Sequence, residues 1–204
     1  MPDLASARFS MLDPYYSIIG AQANATNSGA PARSTFAWGT IGQLADNPAA
    51  ASGAFLYAAV PVAIGDTFTK VTIWVGNTAA STPTHQAAAI YSGLAASPAL
   101  LSKGADSTTT AVAAGAAFSY TIPSYTVQPA DAPFGYIYAG YTMTATAVNT
   151  VAGAATAQAA NVNIQYATNQ PFLAGTSGSA LAGVPAATLT IAASTLHQPV
   201  IILS

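Results

Sequence analysis

Val71, Ile73 and Val75 alternate with Lys70, Thr72 and Trp74 along residues 68–76. A period of two in β-branched and aromatic residues puts the first set on a buried sheet face and the second on the opposite face. Gly76 and Asn77 open a polar stretch that holds Pro83. Residues 86–92, Gln-Ala-Ala-Ala-Ile-Tyr-Ser, form a second apolar run closed by Gly93. The pattern predicts two antiparallel strands joined by a long turn, a hairpin around which the rest of the chain packs.

Shorter runs repeat the theme. Residues 35–38 suit a first short strand, and residues 54–60 a strand ended by Pro61. Gly65 and Asp66 form a turn. Residues 100–103 make a weak strand and residues 118–122 a clear one, stopped by Pro123. Residues 136–143 carry large side chains on both faces, which places that strand at the centre of a sheet. Residues 162–166 alternate again, and residues 189–191 are short. Residues 199–203 are too apolar for an exposed tail and predict a C-terminal strand inserted in a sheet. Asp46-Asn47-Pro48 ahead of three alanines suits a single helical turn, because Pro is favoured at the first helical position; Ser52-Gly53 ends it. The Ala-rich tract 144–160 reads as a long loop or extended segment, given its Thr, Val, Asn and Gly content. Short strands with regular turn signals predict an all-β fold, a single antiparallel β-sandwich or jelly-roll-like domain.

Residues 1–34 differ from the rest. An aromatic-apolar patch, Tyr15-Tyr16-Ser17-Ile18-Ile19, is followed by a tract of small, turn-forming residues up to Pro31. That composition predicts an extended N-terminal arm ahead of a domain spanning residues 35–204. Tyr15, Tyr16, Ile18 and Ile19 are the candidate assembly contacts, either on the chain's own domain or on a neighbouring subunit.

Charge sharpens this picture. Only 5% of the 204 residues are charged, against roughly 25% in ordinary globular domains. All the acids are Asp, and no charged side chain follows Asp131. Weak colloidal repulsion favours association, so a subunit of a large assembly fits better than a secreted Ala/Thr-rich monomer. Arg8, Arg33, Lys70 and Lys103 are too few and too scattered to build the positive stripe that nucleic acid needs. The hydrophobic fraction of 52% is mostly Ala broken by polar residues, and no run reaches the ~18–20 strongly apolar residues of a membrane span. Met1-Pro2-Asp3-Leu4 lacks a basic n-region, so no signal peptide is expected. With no cysteine, a disulfide framework, thiolate metal site and cysteine nucleophile are all excluded.

Candidate chemistry is sparse. His85 and His197 are the two histidines, both next to proline-containing turns. A Ser/His/Asp triad lacks its G-x-S-x-G elbow, and residues 175–179 read as a flexible turn. Six scattered Asp residues without Glu are poor material for a glycosidase pair or a calcium loop. No phosphate- or dinucleotide-binding glycine motif occurs. The expectation is a protein that is not an enzyme and carries no cofactor or metal. Asn24-Ala25-Thr26 matches a glycosylation sequon, which means little without a secretory signal. Trp38, Trp74, Tyr91, Tyr120, Tyr136, Tyr138 and Tyr141 suit either a sugar-stacking platform or core and interface packing, and the latter is commoner. Trp74 and His85 are the candidate ligand-facing residues.

Residues 52–57 (Ser-Gly-Ala-Phe-Leu-Tyr), 60–62, 71–75 and 86–92, with the later pieces 100–106 and 171–178, resemble in order and pattern the β-sandwich domains of virion proteins of tailed phages that infect actinobacteria. The likeness covers roughly residues 35–204. Minor tail proteins of that group often carry the domain at the end of a much longer chain. A short subunit with an arm suits a capsid decoration protein or head fibre as well. The resemblance implies a structural subunit on the phage particle surface, bound to other virion proteins of capsid or tail. It also implies a homo-oligomer, with a trimer expected from closed symmetry. The loops 77–85 and 144–160 would then face outward, toward a host cell-surface glycan. The alternative is a carbohydrate-binding module of a cell-surface or secreted protein, using Trp74 and nearby tyrosines.

Overall fold

The computed structural model describes residues 33–35, 44–94, 97–108, 110–154, 173–191 and 198–204. Among these residues there are eleven strands and no helix: β1 (Arg33–Ser34), β2 (Ala45–Asn47), β3 (Phe55–Pro61), β4 (Thr67–Trp74), β5 (Ser81–Tyr91), β6 (Leu100–Lys103), β7 (Ala117–Thr126), β8 (Tyr136–Ala147), β9 (Val151–Gly153), β10 (Ala174–Ser177) and β11 (Ile201–Leu203). They form a four-stranded sheet in the order β1-β11-β4-β7 and a five-stranded sheet in the order β10-β3-β8-β5-β6. β2 and β9 make a small ribbon. Every strand pairing is antiparallel. The fold is the expected β-sandwich.

The alternation in β4 works as read. Val71, Ile73 and Val75 are buried in the core between the sheets, while Lys70 is exposed and Thr72 and Trp74 are half-buried. Across the core they meet Leu56, Val60, Ile90 and Ile137. Each such side chain, fully buried, stabilises the fold by about 1.5–3 kcal/mol. The expected hairpin does not form, however. β4 pairs with β7 and β11, whereas β5 pairs with β8 and β6. The two runs lie in opposite sheets. Alternation fixes which face of a strand is buried but says nothing about which strand lies beside it.

β8 is central, as its two large-residue faces require. It lies between β3 and β5, and Ile137, Ala139, Tyr141 and Met143 point into the sandwich core. Its other face belongs to a second cluster of Phe55, Tyr57, Ala89, Tyr91, Tyr138 and Leu189. Residues 178–191 run across this outer face as a strap. Its backbone is fastened where Leu181 donates to the Gly53 carbonyl (2.8 Å) and Leu189 to the Pro98 carbonyl (2.9 Å). The Tyr91 hydroxyl donates to the Ala186 carbonyl (2.8 Å). Residues 189–191 are therefore part of the strap rather than a strand. At Gly140 the backbones of β8 and β3 approach so closely that a β-carbon would overlap the Leu56 carbonyl.

Other expectations need revising. Asn47 does not start a helical turn; it ends β2 and pairs with Val151 of β9. The turn that follows is made by Gly53 with φ 77°. Pro123 does not stop β7, which continues to Thr126. β7 is an edge strand and its pairing with β4 shifts register between Phe68 and Lys70. An edge and a bulge are where a residue lacking an amide proton is tolerated. Pro83 and His85 sit in β5, not in a loop, and Thr144–Ala147 lengthen β8. β1 occupies Arg33–Ser34 and pairs with Leu203 and Ile202, so the sandwich already includes the last two residues assigned to the arm. The C-terminal strand β11 is inserted between β1 and β4. The proposed strand at residues 162–166 and the rest of the arm lie outside the described residues.

Candidate functional site

The sandwich has two chemically different ends. At one end β1 begins, and the turns 62–66, 92–94 and 127–135 are laced together. The Gly65 amide donates to the Val127 carbonyl (2.9 Å), the Val62 amide to the Gly135 carbonyl (2.9 Å), and the Gly93 amide to the Asp131 carbonyl (2.6 Å). Arg33 joins this end by its ion pair with Asp66. Leu173, just before β10, is here too, its carbonyl accepting from the Ala59 amide (2.6 Å). The exposed large apolar side chains of this end are Ile64 (62%), Phe134 (63%), Leu94 (39%) and Leu173 (40%). Phe134 stacks on Tyr136 with ring centroids 6.2 Å apart, and Tyr136 meets Tyr138 edge-on at 5.5 Å. An aromatic chain thus runs from solvent into the second cluster.

The opposite end is rich in hydroxyls. The start of β5 and the finish of β8 pair as Ser81 with Ala147 and Pro83 with Ala145. This ribbon is largely exposed at Ser81, Thr82 and Thr84. Thr82 Oγ1 donates to Thr146 Oγ1 (2.6 Å), and Thr84 Oγ1 to the Thr144 carbonyl (3.2 Å). The Ser52 hydroxyl braces β8 by donating to the Ala145 carbonyl while lying 3.1 Å from the Ala145 amide, which donates back. The family resemblance implies two outward loops at residues 77–85 and 144–160. The portions described, up to Ala154, lie at this single end, mostly as paired strands.

His85 belongs to the same end. Its Nδ1 is 2.6 Å from Asp106 Oδ2, while Asp106 Oδ1 accepts from the Gln86 amide (3.0 Å). The bond ties the loop after β6 to the start of β5. Gln86, fully buried, extends the tie: its Nε2 donates to the Thr110 carbonyl (2.7 Å), and its Oε1 accepts from the Tyr120 hydroxyl (3.1 Å). A His–Asp pair is the orienting half of a hydrolytic triad, but among the described residues no serine or threonine hydroxyl is bonded to this imidazole. Among the described residues no three His, Cys, Asp or Glu side chains gather to hold a metal ion. No helix among them is long and apolar enough to cross a membrane.

Trp74 lies on the outer face of the four-stranded sheet. Its neighbours on that face are the Thr72 and Ser119 hydroxyls, 2.7 Å apart, and exposed Lys70. His85 is in the other sheet, so the two candidate ligand-facing residues are not brought together. The tyrosines are not beside Trp74 either. Tyr120 and Tyr141 fill the sandwich core, with Tyr91 and Tyr138 under the strap. Burial pushes the hydroxyls of Tyr91, Tyr138 and Tyr141 well above the ordinary phenol range. Tyr15, Tyr16, Ile18, Ile19, Trp38 and His197 lie outside the described residues. The apolar end is not legible in the sequence because Ile64, Leu94 and Phe134 are isolated in three separate turns and Leu173 stands alone just before β10. The chain matches no model of a known protein family, and no curated protein is similar to it.

Proposed function

We propose that this chain is a structural, non-enzymatic subunit of a phage particle, attached at its apolar end and presenting the hydroxyl-rich ribbon outward. One observation carries the reading: the arm joins the sandwich at the end that exposes Ile64 and Phe134, and the ribbon of β5 and β8 is at the other end. Exposed apolar side chains gathered at one place mark interaction surfaces. Exposed threonines and serines without net charge suit a solvent- or glycan-facing surface. The charge content of 5% favours association over a free monomer. Position on capsid or tail and a trimeric state belong to the same proposal.

Immunogold labelling of intact particles with an antibody to residues 33–204 tests it. Gold over the head supports a decoration or head-fibre role, and gold at the tail tip an adsorption role. A chain absent from purified, denatured particles by mass spectrometry overturns the proposal.

The second reading, a carbohydrate-binding module, rests on Trp74 beside the Thr72–Ser119 hydroxyl pair. A half-buried indole next to polar hydrogen-bonding groups suits stacking on a sugar ring. Glycan-array binding by the intact chain that Trp74→Ala abolishes supports it; no binding to any envelope glycan argues against it.

A further inference from the structure

We propose that the apolar end of the sandwich is the docking site for residues 15–19 of the same polypeptide, so that the free subunit carries its own arm folded back over Ile64, Leu94, Phe134 and Leu173. This does not depend on the phage reading.

Three observations support the pairing. First, the surface is apolar, and the carboxylates described beside it are already engaged. Asp66 is paired with Arg33, and Asp131 accepts from the Tyr125 hydroxyl and the Gln128 amide. Such a surface favours an uncharged, apolar occupant. Second, residues 14–32 contain no charged side chain, and Tyr15, Tyr16, Ile18 and Ile19 are their large apolar group. Third, the chain enters the sandwich at this very end. β1 runs antiparallel to β11, which itself runs antiparallel to β4, so Arg33 lies at the side where β4 starts. Its guanidinium is bound to Asp66, two residues from Ile64.

The tether has the right length. Residues 20–32 are Gly, Ala, Gln, Asn, Thr, Ser and one Pro. A linker of that length and composition spans about 20 Å on root-mean-square average and about 45 Å at full reach. A segment held so close to its site is present at an effective concentration of order millimolar. At micromolar protein, docking on the chain's own end therefore outcompetes docking on a neighbour.

The absence of cysteine makes disulfide trapping clean. The full-length double variant Ile18→Cys, Ile64→Cys is oxidised at low micromolar concentration. The expected product is an internally bridged monomer with both thiols lost. In parallel, hydrogen exchange of the otherwise unmodified full chain is compared with that of Tyr16→Ser, Ile18→Ser. Exchange over residues 62–66 and 127–135 is expected to quicken at least fivefold in the variant, with the strands of the core unchanged. A bridged dimer in place of the monomer overturns the proposal in favour of exchange between copies. Unbridged thiols together with unchanged exchange overturn it outright. Should the cysteine variant fail to fold, the exchange comparison decides alone.

Discussion

The Arg33 guanidinium grips the Asp66 carboxylate through two bonds, Nε to Oδ2 at 2.7 Å and Nη2 to Oδ1 at 3.0 Å. Both side chains are mostly buried, at 12% and 9% exposure. Asp66 Oδ2 also accepts from the Ala63 amide (2.8 Å). One carboxylate thus shapes the turn before β4 and anchors the first strand of the sheet. Removing one partner of a buried pair leaves the other uncompensated, at a cost of about 3–5 kcal/mol. Asp66→Ala should lose about 3 kcal/mol in urea unfolding. A loss under about 1 kcal/mol would show the pair to be dispensable.

Gly140 is set by the close approach of β8 to β3. A methyl group there overlaps the Leu56 carbonyl in the middle of the five-stranded sheet. Neither central strand moves without disturbing both cores. Gly140→Ala is expected to cost at least about 3 kcal/mol, at the upper end of overpacking penalties. Gly115→Ala, whose β-carbon meets nothing nearby but whose φ is 66°, should cost less, about 1 kcal/mol. Thermal unfolding of the two variants checks the ranking.

Alkaline pH should unfold the protein. Burial and the bond to Asp131 push the Tyr125 hydroxyl from 10.0 up to about 12, and burial also raises Tyr91, Tyr120, Tyr138 and Tyr141 well above the ordinary phenol range. The raised groups keep their protons in the folded state at pH values where the unfolded chain releases them. Their stabilising contribution is complete below pH ~10 and is lost as pH rises through the folded values. Denaturant midpoints should stay level from pH 8 to ~9.5 and fall steadily above ~10, with phenolate absorbance appearing together with unfolding. Ready titration of all ten tyrosines in a still-folded protein would contradict the burial described.

Trp74 separates two roles. Its indole is half-buried on an open sheet face, so Trp74→Ala should cost about 1–2 kcal/mol, less than a fully buried tryptophan. A glycan interaction lost in a variant that remains folded assigns the residue to binding. A cost above about 3 kcal/mol assigns it to packing.

What the sequence disclosed follows from what is local. Val71, Ile73 and Val75 announce a buried face because alternation is a property of one strand. The double-sided hydrophobicity of residues 136–143 announces a central strand, and the apolar C-terminus an inserted one. Partnership is not local. β4 and β5 are neighbours in the chain, yet lie in opposite sheets, and no single-strand pattern distinguishes that from a hairpin. Pro123 misled because its cost depends on whether the strand is an edge. The candidate site was legible in part. Trp74 is on the outer face its alternation requires, but the partner of His85 is Asp106, 21 residues away. The apolar end is assembled from single residues in three turns and one at the entry to β10, which only the fold gathers.

The central claim is directional: the apolar end faces the particle and the ribbon of β5 and β8 faces out. Single-cysteine variants Ser81→Cys and Phe134→Cys, in a chain that otherwise has no cysteine, test it most directly. Intact particles carrying either variant are treated with a maleimide too large to enter the assembly. Labelling at 81 with protection at 134 on intact particles, and labelling at 134 once the released subunit is unfolded in urea, is the predicted result. Labelling at 134 with protection at 81 on intact particles would contradict the account.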